Sequence, residues 1–268
     1  MQIIDVGSGP PIVLIPGVQG RWEWMKPAVD HLARRCRVIT FSLADEPSSG
    51  GRFATPQGFD NYVRQVGDAM DAAGLARACV CGVSYGGLIA TVFAVRYPER
   101  VSGLVLVSAL PPSWTPDARV RRYARTPWLL LPLFSLGSLR LYPEFLTAAG
   151  SVPRSITSAL RHLTTVLTHP FSPVRMARRV SLWTDSPIDR GALRVEAPTL
   201  VVTGEPGLDR VVPTWLTREY LERCPHAESA VLERTGHLGL ITRPDAFAGI
   251  VGAFVERCAD TEGKRRIG

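Results

Sequence analysis

A chain of 268 residues, 46% of them apolar and 21% charged, is long enough to bury one large α/β core or two small ones, and too apolar to stay disordered. The first residues lack the basic-then-apolar pattern of a secretory leader, and no stretch reaches roughly 18 uninterrupted apolar residues, which predicts a cytoplasmic protein without a membrane span. The formal charge of +7 resides entirely in residues 111–190, where 11 Arg face 4 acidic residues; without zinc-finger spacing or a basic groove interleaved with aromatics, it predicts no nucleic-acid partner and reads as a solvated helical surface, with attraction to an anionic substrate or a membrane surface as the weaker alternative.

In chain order, "QIIDVG" and "PIVLIPG" predict two strands joined by the turn "GSGP" as a hairpin. "WEWMKPAVDHLARRC" predicts a helix and "CRVITFSL" a strand. A second helix is predicted from Thr55 to Gly74, with Phe59, Val63, Val66, Met70 and Ala73 at three- and four-residue steps. "ARACVCGV" is a strand, "YGGLIATVFAVRYP" a helix and "VSGLVLVSAL" a strand. Continuous apolar strands alternating with helices predict a mostly parallel sheet covered on both faces.

Residues 111–190 break this rhythm with prolines, helix-like patches and no good strand. They read as an insertion in a core formed by 1–110 and 191–258, not as a separate domain. The alternation resumes with "APTLVVTGE", "PTWLTREYLERC", "AESAVLE" and "RPDAFAGIVGAFVERC", and residues 259–268 are expected to fray. The odd cysteine count, Cys36, Cys79, Cys81, Cys224 and Cys258, predicts reduced thiols. The "CVC" spacing suits core filling and not a zinc site.

The chemistry is read from "GVSYG", Gly82 to Gly86, which matches G-x-S-x-G between a predicted strand and a predicted helix. Such a turn exposes the Ser84 hydroxyl at the carboxyl end of the sheet, beside the free N–H groups that open a helix. A serine hydroxyl needs a base, and the base needs an orienting acid. Among five histidines only His237, in "ERTGHLGLITRP", follows a late strand. His31 lies in a helix, His162 and His169 in the insertion, and His226 in a surface-like turn. In "VVTGEPGLDRVVP" the acid is Asp209, with Glu205 as the alternate, which gives the chain order Ser, Asp, His.

With "PGVQG", "GVSYGG", "GLDRVVP" and "GHLGL" in this order, residues 1 to about 258 resemble the α/β-hydrolase superfamily. The resemblance implies a Ser84–His237–Asp209 triad under a helical cap at 111–190 and an oxyanion hole of main-chain N–H groups, assigned by position to Val18 and Tyr85; the expected mechanism needs no cofactor, and the cysteine spacing predicts no metal. The sequence departs from the usual pattern in three places. Pro16-Gly17 replaces the common His-Gly, the glycine-to-acid spacing is about two residues long, and the usual first strand is missing. Serine at the elbow argues against the haloalkane dehalogenases and epoxide hydrolases, which carry aspartate there. It favours a carboxylesterase-like enzyme for a small apolar acyl substrate, with C–C bond hydrolysis, acyl transfer or cofactor-free peroxidase-like chemistry on the same triad, or a non-catalytic ligand receptor, as the alternatives. Gln19, Trp22, Trp128, Phe134 and Trp183 are the expected pocket residues, and contact of "PWLLLPLFSLG" with lipid is the less favoured reading of that segment.

Overall fold

Seven strands form one sheet in the computed structural model, which describes residues 1–129, 141–150 and 152–267. They are β1 (Ile4–Val6), β2 (Pro11–Ile15), β3 (Arg37–Thr40), β4 (Ala78–Val83), β5 (Val101–Val107), β6 (Thr199–Thr203) and β7 (Ala227–Val231), in the order β1-β3-β2-β4-β5-β6-β7. Every pair is parallel except β1 with β3.

Successive strand residues point to opposite faces, and both faces are apolar. Val13, Ile15, Val80, Leu104, Leu106 and Val201 face α2 (Asp60–Ala72) and α3 (Gly86–Arg96). Ile12, Leu14, Cys79, Cys81, Val105 and Val107 face α1 (Lys26–Leu32) and the C-terminal α11 (Pro244–Ile267). Cys79 and Cys81 thus fill the core, and all five cysteines are free and buried. Between β5 and β6 the chain forms α4 (Ala118–Arg125), α5 (Tyr142–Ala149), α6 (Val152–Thr168) and α7 (Pro173–Thr184). The short helices α8 (Thr214–Arg218), α9 (Tyr220–Arg223) and α10 (Gly239–Thr242) complete the described elements. Among the described residues no helix is long and apolar enough to cross a membrane.

The expected β1–β2 hairpin does not form. Val6 and Ile12 both register with Val38, so β3 lies between the two strands. Gly7 and Gly9, at φ 81° and 113°, turn the link across the backbone that enters β3, where a side chain would overlap Cys36 O or crowd Arg35 O. The expected helix from Thr55 splits at Gly58 (φ 52°) into a 3₁₀ turn and α2. The last helix continues to Ile267 through the segment expected to fray.

Candidate active site

The chain leaves β2 toward one edge of the sheet and then returns to build β4 to β7 on the other side. The crevice between β2 and β4 is therefore the topological switch point, where open α/β sheets bind ligands at the carboxyl ends of their strands. The loop after β2 carries Gly17 to Gly20, and the turn after β4 carries Ser84.

Only two residues separate β4 from α3. Ser84 takes φ 52°, a left-handed conformation costing a non-glycine residue on the order of 1 kcal/mol or more. Its N–H donates to Val107 O at 2.9 Å, and its carbonyl accepts from Gly87 N–H at 3.0 Å and Leu110 N–H at 3.2 Å. Side chains at Gly82 and Gly86 are excluded: a Cβ at Gly82 would overlap the Gly86 carbonyl, and one at Gly86 would lie 2.6 Å from the carbonyl oxygens of Ile15 and Pro16. The hydroxyl-bearing side chain is thus held outward, with the residue 7% exposed.

Asp209 follows β6 and His237 follows β7, so parallel strands deliver both to the same edge as Ser84. Asp209 Oδ1 accepts from the N–H groups of Val211 and Val212 at 2.9 and 2.8 Å, which leaves Oδ2 to face His237 Nδ1 at 3.2 Å. With the carboxylate ionised, Nδ1 carries the imidazole proton and Nε2 keeps a lone pair. Burial alone would lower the His237 pKa. The Asp209 charge and hydrogen bond, helped by the Glu144 charge, outweigh it and raise the pKa above its ordinary value. Burial would raise the Asp209 carboxyl, but the His237 charge and hydrogen bond and the two N–H donors hold it below its ordinary value. Glu205, the alternate acid, is used elsewhere. Its carboxylate accepts from Arg234 N–H at 2.7 Å, while its own N–H donates to Thr235 O at 2.8 Å. These reciprocal bonds fasten the acid-bearing loop to the histidine-bearing loop.

Sequence reading missed a second carboxylate here. Glu144 of α5 is buried and accepts from Leu238 N–H at 3.1 Å. Burial, the largest influence, raises its carboxyl above the ordinary value, against the N–H groups of Leu238 and Gly236 and the nearby imidazole. The other histidines are engaged elsewhere or exposed. His31 Nδ1 lies 2.8 Å from Pro27 O, His162 packs its ring on Trp24 and Phe145, His169 lies 2.9 Å from Thr168 Oγ1, and His226 is exposed.

Val18 follows Gly17 and Tyr85 follows Ser84, and neither N–H has an acceptor among the described residues. Gly17 lies against Ser84: a Cβ there would sit 3.4 Å from Ser84 Cβ and 3.1 Å from Gln19 Oε1, so the Gln19 amide lies beside the same backbone. The remaining expected pocket residues fare differently. Trp22 is half-buried against the core under α1. Trp183 is fully buried, packed on Phe59 at 5.1 Å under Arg190, so it cannot touch a substrate that enters from solvent. Trp128 is 65% exposed. Phe134 lies outside the described residues. Trp24 donates its indole N–H to His169 O at 3.0 Å and sets its ring edge-on to His162 and Phe171.

The arrangement brings a buried imidazole, oriented by a carboxylate, to the same sheet edge as a serine in a strained elbow. A model of the Alpha/beta hydrolase family matches residues 12–250. The protein named "Putative carbamate hydrolase RutD" from Azorhizobium caulinodans is 27% identical over 250 residues, 92% of each chain. The 2-hydroxy-6-oxo-2,4-heptadienoate hydrolase of Pseudomonas putida is 25% identical, over 94% of this chain and 91% of its own. An esterase from Exiguobacterium antarcticum superposes with a TM-score of 0.76 over 95% of this chain and 94% of its own, at 18% identity, which is a likeness of fold.

Proposed function

The chain belongs to the alpha/beta hydrolase family, and from that premise we propose that it is a serine hydrolase cleaving an apolar ester through an acyl-enzyme on Ser84. The observation that carries the reading is the His237–Asp209 pair, set at the same sheet edge as a serine held in a strained elbow. The names of the relatives support a carbonyl-directed cleavage: one is named for a carbamate, another for a 2-hydroxy-6-oxo acid.

In this reading Ser84 Oγ attacks the ester carbonyl while His237 Nε2 takes its proton, and Asp209 stabilises the imidazolium. The N–H groups of Val18 and Tyr85 bind the oxyanion, each worth ~3–4 kcal/mol in comparable sites. The imidazolium then protonates the departing alkoxide. Water, deprotonated by the same nitrogen, releases the acid. The described helices between β5 and β6 act as a cap over this edge. Phe145, adjacent in α5 to the carboxylate that grips the His237 loop, lies with His162, Trp24 and Phe171 in an aromatic cluster between cap and core, which supports an apolar acyl group.

The test is hydrolysis of p-nitrophenyl esters of graded acyl length by wild type and Ser84→Ala. Turnover by wild type that drops at least about a thousandfold in the folded variant is the expected result. A folded wild type inert on every ester, or a variant as active as wild type, overturns it.

A further inference from the structure

Arg179 is a fully buried arginine in α7, within the segment that carries the positive excess, yet it is the opposite of a solvated surface charge. Its guanidinium makes four hydrogen bonds. Nη1 donates to Val18 O at 2.7 Å, Nε and Nη2 donate to Asp45 Oδ1 at 3.0 and 2.6 Å, and Nη2 also donates to Glu46 Oε1 at 2.6 Å. The planar group lies so close on Gly20 that a Cβ there would overlap it. At the backbone of the same residue, the Arg179 carbonyl accepts from Tyr85 OH at 2.8 Å. One residue between β5 and β6 therefore holds both Val18 and Tyr85, the two residues whose N–H groups the ester-hydrolase reading assigns to the oxyanion.

We propose that Arg179 is a positioning residue of the oxyanion hole, which makes seating of the cap a condition for the hole to form. The proposal rests on the ester-hydrolase reading above. The loop that supplies Val18 is held from within by the Gly20 N–H to Gly17 O bond and from the core by the Leu43 N–H to Gly20 O bond, and neither reaches Val18 itself. The N–H and C=O of a residue belong to adjoining peptide planes. Anchoring Val18 C=O on a guanidinium restrains the rotation that would turn its N–H away from the nucleophile. Asp45 and Glu46 fix the guanidinium in turn. Both carboxylate side chains are buried, and Asp45 Oδ2 and Glu46 Oε2 have no hydrogen-bond partner among the described residues, so Arg179 is their main counter-charge, with Arg175 Nε 3.2 Å from Glu46 Oε1. A lysine would keep the charge. A single ammonium cannot span Val18, Asp45 and Glu46 at once as the planar fork does.

Removing the side chain altogether would strand two buried carboxylates and threaten folding. The test therefore uses Arg179→Lys and Tyr85→Phe, the latter leaving the buried ions and its own N–H in place, with folding of each checked by circular dichroism and thermal unfolding. Three quantities are read on each: kcat and KM for a p-nitrophenyl ester, and the inhibition constant of an alkyl boronic acid, whose tetrahedral adduct on serine places an oxygen where the oxyanion forms. For Arg179→Lys the expected result is a ten- to hundredfold fall in kcat with a matching loss of boronate affinity and KM within about threefold. Tyr85→Phe is expected to show the same pattern at about three- to tenfold. Folded variants with kcat and boronate affinity unchanged, or with KM alone raised, overturn the proposal, and if Arg179→Lys does not fold, Tyr85→Phe decides. Binding of the boronate needs no turnover. A wild type that binds it but cleaves no ester loses the ester reading while the Arg179 arm still reads the hole, and one that does neither loses both.

Discussion

An imidazole accepts a proton from serine only while it is neutral, so the charges around His237 set the acid side of the activity profile. Asp209 and Glu144 both raise its pKa, and the acid limb of kcat/KM is expected to inflect above the ordinary 6.5 of histidine, with activity lost as the pH falls through that inflection. Glu144→Gln keeps an oxygen for Leu238 N–H and removes a charge, so the limb should move to lower pH with little loss at the plateau. Asp209→Asn should move it the same way and also cost about 10⁴-fold in kcat, because the wrong tautomer is stabilised. Kinetics from pH 5 to 9 check both; a limb that stays in place in Glu144→Gln would show that its charge does not reach the imidazole. Ser84, Asp209 and His237 could be picked out as candidates because they lie in the segments that follow β4, β6 and β7, and strand ends can be read from apolar runs. Glu144 was not, since its partner Leu238 lies 94 residues away and nothing local to "YPEFLTAAG" marks the contact. Arg179 was hidden for a related reason. Among the arginines of "VRMARRV" the sequence gives no sign of which one turns inward.

Helices and strands came through well where each apolar period belonged to one element. The strands buried on both faces, β2, β4, β5 and β6, read as continuous apolar runs, and their order along the chain led to a doubly covered sheet. β1 was recognised as a strand but given the wrong neighbour. A short turn with glycines resembles a hairpin locally, and only the room beside β3 and the contacts of Gly7 and Gly9 decide the pairing. Trp183 was misread at this scale too. An aromatic residue late in a cap helix can face the substrate or the sheet, and here α7 turns it toward Phe59, with its indole N–H on Trp114 O. Trp183→Ala should therefore cost ~3–5 kcal/mol of stability by leaving a cavity in the core. Urea unfolding monitored by circular dichroism measures it, and a cost under about 1 kcal/mol would return the side chain to the pocket.

At the scale of the whole molecule, named contacts join the described helices between β5 and β6 to the core. Trp24 is one: its indole N–H reaches His169 O, and its ring meets His162 of α6 and Phe171. Trp24→Ala should loosen the cap without loosening the sheet. By hydrogen exchange, amides of α6 should exchange faster while those of β4 and β5 stay protected. Equal acceleration in both would mean that cap and core open as one unit. The charge excess also resolves at this scale. Arg119, Arg121, Arg122 and Arg125 of α4 lie at the surface, as a solvated face should, whereas Arg179 does not.

The reciprocal bonds between Glu205 and the Arg234–Thr235 turn have a practical side for anyone wishing to breed a new specificity into this protein. They make the acid and base loops one interlocked piece, in which a randomised position on either loop disturbs the other. A mutant library built there would mostly return dead clones. Diversity placed in the helices between β5 and β6, with Glu144 and Arg179 left alone, can reshape what is accepted while the proton-handling pair stays untouched.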